Sequence, residues 1–373
     1  MVHAPTSLGL KVYEVAVVVV IAAVYAFFRF SDGNPILVAA LGFTIALWLI
    51  LKPSEWAVEG LTMLAERMGI GTYAAGIVGS IMANLPELIL ALLLIIRGES
   101  NIAILTVLIV AGANTLLFGV VTVFQTRKTG HIQVPTTTLR YESELMMFAF
   151  VTALFLFVFN FAENVRLGTQ VEGVKIPLLF SVGTVAIYIA YMIFVAADKE
   201  LNPGYSEKEK EAILKEPGLQ WGNIMKFLLL GIIGIVLAGE LMANGAELLI
   251  NEAEHSGLEL NEGHIALIVG ILGSIPEWAV AFKAKDDPEL VFGSVLSSIS
   301  ATILFMIGLV SIFLHYLGRE FVLDPYGMVQ IMLSGAILLF VHSLMKDDLK
   351  LDLFEGVCIV ILQLIGFDIL ISV

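Results

Sequence analysis

Cysteine is almost absent from this chain: Cys358 stands alone among 373 residues. That excludes a disulfide framework and a thiolate metal centre. Charge is scarce too, at 14% of residues, against about 25% in soluble domains. The shortage is sharper for basic residues, with 20 Lys and Arg against 34 Asp and Glu and a net charge of −14. A chain so acidic is no partner for nucleic acid. His131, His255, His264, His315 and His342 are scattered without metal-ligand spacing. Neither a His-Glu-X-X-His nor a Gly-X-Gly-Asp pattern occurs, so an intramembrane enzyme has no support and the chain is read as a non-enzyme. No small-residue cleavage site follows the first apolar run, which reads as a retained helix and not a signal peptide.

What the chain has in abundance is apolar surface. Hydrophobic residues make up 58% and the mean hydropathy is +0.94, more than one soluble core could hide, so the solvent must be lipid. Stretches of spanning length fall at 12–30, 35–64, 71–97, 101–126, 142–161, 176–197, 222–255, 263–283, 288–316, 326–345 and 353–372. Only helices satisfy their own backbone over such lengths. The expected fold is therefore an all-α integral membrane protein of about eleven transmembrane helices. Fourteen Lys and Arg fall on the side of the N-terminus and five (Arg29, Arg97, Arg166, Lys175, Arg319) on the other. By the positive-inside rule the N-terminus is cytoplasmic and the C-terminus outside, in a multi-pass protein of the cell membrane.

Two proline–glutamate pairs sit deep in this apolar background: Ala83-Asn84-Leu85-Pro86-Glu87 and Gly273-Ser274-Ile275-Pro276-Glu277. A carboxylate at the bilayer centre is expensive, about 3 kcal/mol on the insertion scale. Finding one beside a proline at corresponding places in both halves points to a duplicated ion site. With the pairs in register, an odd number of spans separates equivalent helices, so the copies cross the membrane in opposite directions. The chain then divides into an extra N-terminal helix (1–31), a first five-helix repeat (32–197), a charged cytoplasmic linker (198–221) and a second five-helix repeat (222–373). Inverted repeats with broken helices at the midplane are a transporter architecture.

The local chemistry fits a hard cation. Pro86 and Pro276 lack an N–H, so helix breaks are expected near 82–86 and 272–276, freeing carbonyl oxygens. Carboxylates, carbonyls and nearby hydroxyl or amide oxygens suit Ca²⁺ and do not suit zinc or copper. Ser294, Ser298 and Thr302 are four apart and share one helix face; Thr106 and Asn114 form a thinner stripe. Glu240 and Ser294 are candidates for an access path, Glu240 and Glu247 lying in one span with Glu55 and Glu59 in a similar setting. The linker reads as a solvated connector, its lysines neutralising much of its acidity.

At these residues the chain resembles the calcium/cation antiporter superfamily, whose signature is a duplicated Gly-Thr-Ser-X-Pro-Glu or Gly-Asn-X-Pro-Glu segment followed by a helix rich in Gly, Ser and Asn. Glu55, Glu59-Gly60 and Arg67-Met68-Gly69 are also similar to its lead-in helix. The resemblance implies that Glu87 and Glu277 are the central carboxylates, with Asn84 and Ser274 as side-chain ligands. It further implies backbone carbonyls from Ala83 and Gly273, helix breaks held by Pro86 and Pro276, and second-helix oxygens from Asn114, Ser298 and Thr302. Ala83 and Gly273 replace a frequent threonine, Ala113 a frequent serine, and Leu117 an expected amide. These thinned ligands, and the added N-terminal helix, favour the calcium/proton branch.

The expected function is secondary exchange of Ca²⁺ for protons by alternating access. Burial favours a protonated carboxyl and a bound cation favours an ionised one, so a glutamate pair can serve both ions. No resident cofactor is expected; the bound ligand is the transported Ca²⁺, with Na⁺ or another hard cation as the alternative. Sodium-coupled exchange is the second reading, a passive cation channel the third. A purely structural role, with prolines kinking packed helices and glutamates bonding their neighbours, is the fourth. The partners are the lipid bilayer, Ca²⁺, and H⁺ or Na⁺.

Overall fold

The computed structural model describes residues 7–31, 33–68, 81–82, 84–167, 176–198, 216–256, 261–283, 288–319, 321 and 325–371. In chain order the helices are α1 (Val12–Phe30), α2 (Pro35–Arg67), α3 (Leu85–Arg97), α4 (Ser100–Thr129), α5 (Thr136–Leu167), α6 (Leu178–Ala197) and α7 (Trp221–Ser256). After these come α8 (Glu262–Lys283), α9 (Pro288–Ala301), α10 (Ile307–Tyr316), α11 (Pro325–Asp347) and α12 (Leu353–Ile371). A π-helical turn, Thr302–Met306, joins α9 to α10. The only β structure among the described residues is a two-stranded ribbon. In it β1 (His131–Gln133) and β2 (Lys350–Asp352) pair antiparallel.

Among the described residues, nine helical stretches are long and apolar enough to cross a membrane, and they match nine of the eleven expected spans. The two others are the spans that carry Pro-Glu. The first is represented by the 13-residue α3, because residues 69–80 lie outside the described residues. The second is the 22-residue α8. Val12 on α1 is 87% exposed and Phe30 88%; apolar surface of this kind is stable only against lipid. The fold is a multi-pass, all-α membrane fold.

By backbone proximity the chain forms two compact units. One comprises Met1–Leu93 and Met192–Leu260, the other Leu94–Tyr191 and Asn261–Val373. Each unit draws on both halves of the chain.

The first unit is built on α2 and α7, of 33 and 36 residues, each about 50 Å long. Asn34 caps α2, its Oδ1 accepting from the Leu37 N–H at 3.1 Å, with Pro35 in the first turn. The two helices approach closely because glycine faces small or rigid partners. A Cβ on Gly231 would lie 2.6 Å from the Ala57 nitrogen, one on Gly60 2.9 Å from the Leu228 nitrogen, and one on Gly245 2.6 Å from the Phe43 ring. As the α2 position falls from Gly60 to Phe43, the α7 position rises from Leu228 to Gly245, so the helices are antiparallel. At the end of α2, Arg67 donates to the Leu219 carbonyl at 2.5 Å and lies over the Trp221 ring. Trp56, Met63, Leu219, Ile224 and Phe227 form an apolar cluster beneath.

In the second unit α4 is the centre, with α8, α9 and α12 packed around it. Contacts of α4 with α9 run antiparallel, through Asn114 with Ser298 and Phe118 with Phe292. Those with α8 run parallel, through Ile109 with Gly270 and Phe124 with Phe282. Helices α5 and α11 are antiparallel too, with Ala153 at Gly335 and Ser143 at His342. The pairs α2/α7, α4/α9 and α5/α11 are the equivalent helices of the inferred repeat, and each pair is antiparallel, as an inverted repeat requires.

Substituting Gly231 by valine should therefore force the α2–α7 contact apart at a loss of about 1–3 kcal/mol. The measurement is the thermal unfolding midpoint in detergent. Gly183→Ala, where an added Cβ meets nothing within 4 Å, serves as the control that should not fall.

Candidate functional site

The first Pro-Glu segment opens α3. Asn84 occupies a turn, its backbone carbonyl accepting from the Leu88 N–H at 3.3 Å, and α3 begins at Leu85. Pro86 thus falls in the first turn, where no N–H is needed. Glu87 lies in that same turn, where the helix N-terminus favours negative charge. Asn84 is 3% exposed and Glu87 fully buried. Helix α3 rests on α7 through Gly239, where an added Cβ would come 3.0 Å from Ile89. Ala83, expected to lend a carbonyl, lies outside the described residues.

The second segment has the same residues in a different local structure. Helix α8 runs unbroken from Glu262 to Lys283 with Pro276 inside it, so the interruption expected at 272–276 is not formed. Pro276 has no N–H to offer the Leu272 carbonyl, but one missing bond in a packed membrane helix is compatible with continuity. The Ser274 hydroxyl meanwhile donates to the Ile271 carbonyl at 3.0 Å. Ser274 is fully buried and Glu277 6% exposed; Gly273 and Pro276 are buried in the same helix. Glu277 lies between the two points, Gly270 and Phe282, where α8 meets α4.

The second-helix oxygens converge where α4 crosses α9. Asn114 Nδ2 donates to Ser298 Oγ at 3.0 Å, and Thr302 Oγ1 donates to the Ser298 carbonyl at 2.9 Å. All three side chains are buried, as are Thr106, Ser297 and Ser300. Asn114 Oδ1, Thr106 Oγ1 and Ser300 Oγ are buried without a hydrogen-bond partner among the described residues. Acceptor oxygens in that condition, in an apolar interior, are suited to a cation. Thr302 also opens the π-helical turn, a feature that often marks functional sites. Ser294 is half-buried on α9.

Of the acidic residues in the long helices, Glu240 is on an exposed face of α7 and accepts from Asn244 Nδ2 at 3.3 Å. Glu247 is exposed on the same helix. Glu55 pairs with Lys52 at 3.1 Å. Most of the linker, 199–215, lies outside the described residues.

Sequence reasoning passed over a buried amide group on the far side of α4. Gln363 Nε2 donates to Gln330 Oε1 at 3.3 Å, and Gln330 Nε2 to Ser334 Oγ at 3.1 Å. A Cβ on Gly112 would fall 2.5 Å from both amide nitrogens, so glycine there lets α11 and α12 reach α4. Lone glutamines inside two apolar runs were the available signal.

Fold and site together define an integral membrane transport protein. The family profile described as sodium/calcium exchanger protein matches residues 38–197 and 225–365, and the chain belongs to that family of calcium and cation exchangers. Among solved structures it is similar to an H⁺/Ca²⁺ exchanger, CAX, with a TM-score of 0.66 and 17% identity over 98% of this chain and 93% of the other. It is similar to native YfkE, with a TM-score of 0.67 and 16% identity over 95% and 98%. The sodium-calcium exchanger NCX_Mj gives a TM-score of 0.60 and 18% identity over 89% and 98%. A search of curated proteins finds no match.

Ser298→Ala should leave the Asn114 amide without its acceptor, a loss of about 1–3 kcal/mol for a stranded buried donor. A lowered thermal midpoint in detergent is the expected result; an unchanged one would show that the pair contributes nothing to the α4–α9 contact.

Proposed function

We propose that this protein exchanges Ca²⁺ for protons across the cell membrane by alternating access, with Glu87 and Glu277 as the carboxylates that take the cation. The observation that carries the reading is the burial of both glutamates, each beside a proline in a membrane fold of exchanger type. Asn84 and Ser274 flank them as oxygen donors, and the carbonyl of Ala83 is proposed to add to the set; that of Gly273 is not counted, because α8 runs unbroken through it. Asn114, Ser298 and Thr302 supply further oxygens from α4, α9 and the π-helical turn. This donor chemistry is all oxygen, as Ca²⁺ prefers. The two repeats, 32–197 and 222–373, contribute one glutamate each. The Lys- and Arg-rich side, with the N-terminus, is proposed to be cytoplasmic.

Proton coupling is favoured over sodium by chemistry at two positions. Ala113 and Leu117 on α4 are buried apolar side chains where a sodium site would want oxygen. A carboxyl needs no extra ligand to hold a proton. Protonated, a buried glutamate is neutral and stable in an apolar setting; charged, it asks for a cation. The two ions therefore compete for the same groups, which is the essence of exchange.

Purified protein in liposomes loaded with ⁴⁵Ca²⁺ is expected to release it when an inward proton gradient is imposed, and to respond little to a sodium gradient. Release driven by sodium alone would reverse the choice of counter-ion. Glu87→Gln and Glu277→Gln should each abolish the flux while the protein remains folded. Undiminished flux in both variants would remove these residues from the site.

A further inference from the structure

We infer that Glu142 is a third proton-exchanging carboxyl of the transport cycle, set apart from the two Pro-Glu segments and coupled to the π-helical turn. The inference rests on the proton-coupled reading above. Glu142 lies in the spanning part of α5 and is 1% exposed. Tyr191 of α6 donates its hydroxyl to Glu142 Oε1 at 3.3 Å. Beyond it, Tyr188 is fully buried, its ring 6.4 Å from that of Tyr191 and 5.4 Å from that of Phe305. Phe305 belongs to the π-helical turn that begins at Thr302, and Thr302 is bonded to Ser298, the partner of Asn114. A packed line therefore joins the carboxyl to the oxygens of the α4–α9 crossing, within one compact unit.

The groups around Glu142 limit its chemistry. From α6 come the phenols of Tyr191 and Tyr188. From α11 comes His342, whose ring lies near the Ser143 backbone, with Lys346 one turn on. On α5 itself Arg140 is exposed and lies over the Tyr141 ring, and Glu144 is exposed. A glutamine at 142 would accept the Tyr191 bond equally well and without charge. An ionisable group in hydrocarbon is expensive, and such groups usually face a pathway or proton relay. Proton binding explains a carboxyl where an amide would suffice for packing. The step makes and breaks only one O–H bond, between a Glu142 oxygen and water-borne H⁺, and the accompanying change of charge acts on the tyrosine pair and through it on the π-helical turn.

The test uses the full-length protein in liposomes and reads three quantities for wild type, Glu142→Gln and Tyr191→Phe: ⁴⁵Ca²⁺ uptake driven by a pH gradient, ⁴⁵Ca²⁺/Ca²⁺ exchange at symmetric pH, and the thermal midpoint. Glu142→Gln should lower gradient-driven uptake by about tenfold, within the usual range of coupling between two sites. Its calcium self-exchange and midpoint should stay near wild type. Tyr191→Phe should move the pH midpoint of uptake with folding intact, which keeps the test decisive if the glutamine variant fails to fold. Equal loss of both transport modes in Glu142→Gln at an unchanged midpoint, or an unmoved pH profile in Tyr191→Phe, would overturn the inference. If wild type shows no gradient-driven uptake, proton coupling fails and Glu142 with it. If wild type shows it and Glu142→Gln matches, only the role of Glu142 fails.

Discussion

In hydrocarbon a polar group has no water to fall back on, and every feature of this protein answers to that constraint. Backbone groups satisfy one another in helices. Hydroxyls of Thr115, Thr122 and Thr126 turn back onto carbonyls four residues earlier, at 2.7–2.8 Å. What cannot be satisfied locally has to be met across a helix contact, and such contacts must be close. Glycine makes them close: Gly231 and Gly60 in one unit, Gly112, Gly119 and Gly270 in the other, each at a position where a Cβ would meet a neighbouring helix at 3.0 Å or less. Without a hydrophobic drive between helices, that proximity is what holds a membrane fold together.

The two Pro-Glu segments show how a duplicated sequence can be put to different local use. Pro86 stands in the first turn of α3, where a missing N–H has no consequence, and Glu87 gains the helix N-terminus. Pro276 stands inside α8, where its missing N–H leaves the helix continuous. The residues were duplicated; the backbone around them diverged. Glu87 is held at the start of a 13-residue helix and Glu277 inside a 22-residue one.

Antiparallel packing of α2 with α7, α4 with α9 and α5 with α11 is the architectural counterpart of the duplication. Inverted-topology repeats of this kind recur in many transporter folds. Polar side chains are concentrated at α4, which touches α8, α9 and α12. Asn114 faces Ser298 on one side of it, and Gly112 admits the Gln330–Gln363 pair on another.

Much of this was legible in the amino-acid order. Runs of spanning length follow from composition alone, because hydropathy is a local sum, and nine of them coincide with helices of the described residues. The opposed direction of the repeats follows from counting an odd number of spans. Glu87 and Glu277 stood out because a carboxylate next to proline is conspicuous in an apolar run, and both are buried in the structure. Other features depend on residues far apart in the chain. The continuity of α8 through Pro276, the π-helical turn at Thr302, the amide pair reaching Gly112 and the burial of Glu142 beneath Tyr191 are all decided by which helix lies against which. Glu142, flanked by Arg140 and Glu144, looks in sequence like the charged edge of a span. Hydropathy thus determined which segments are long and apolar enough to cross a membrane, and the odd span count that the two repeats run in opposite directions. Only tertiary packing, in which a neighbour replaces water as the partner of each polar atom, decided which oxygens are brought together.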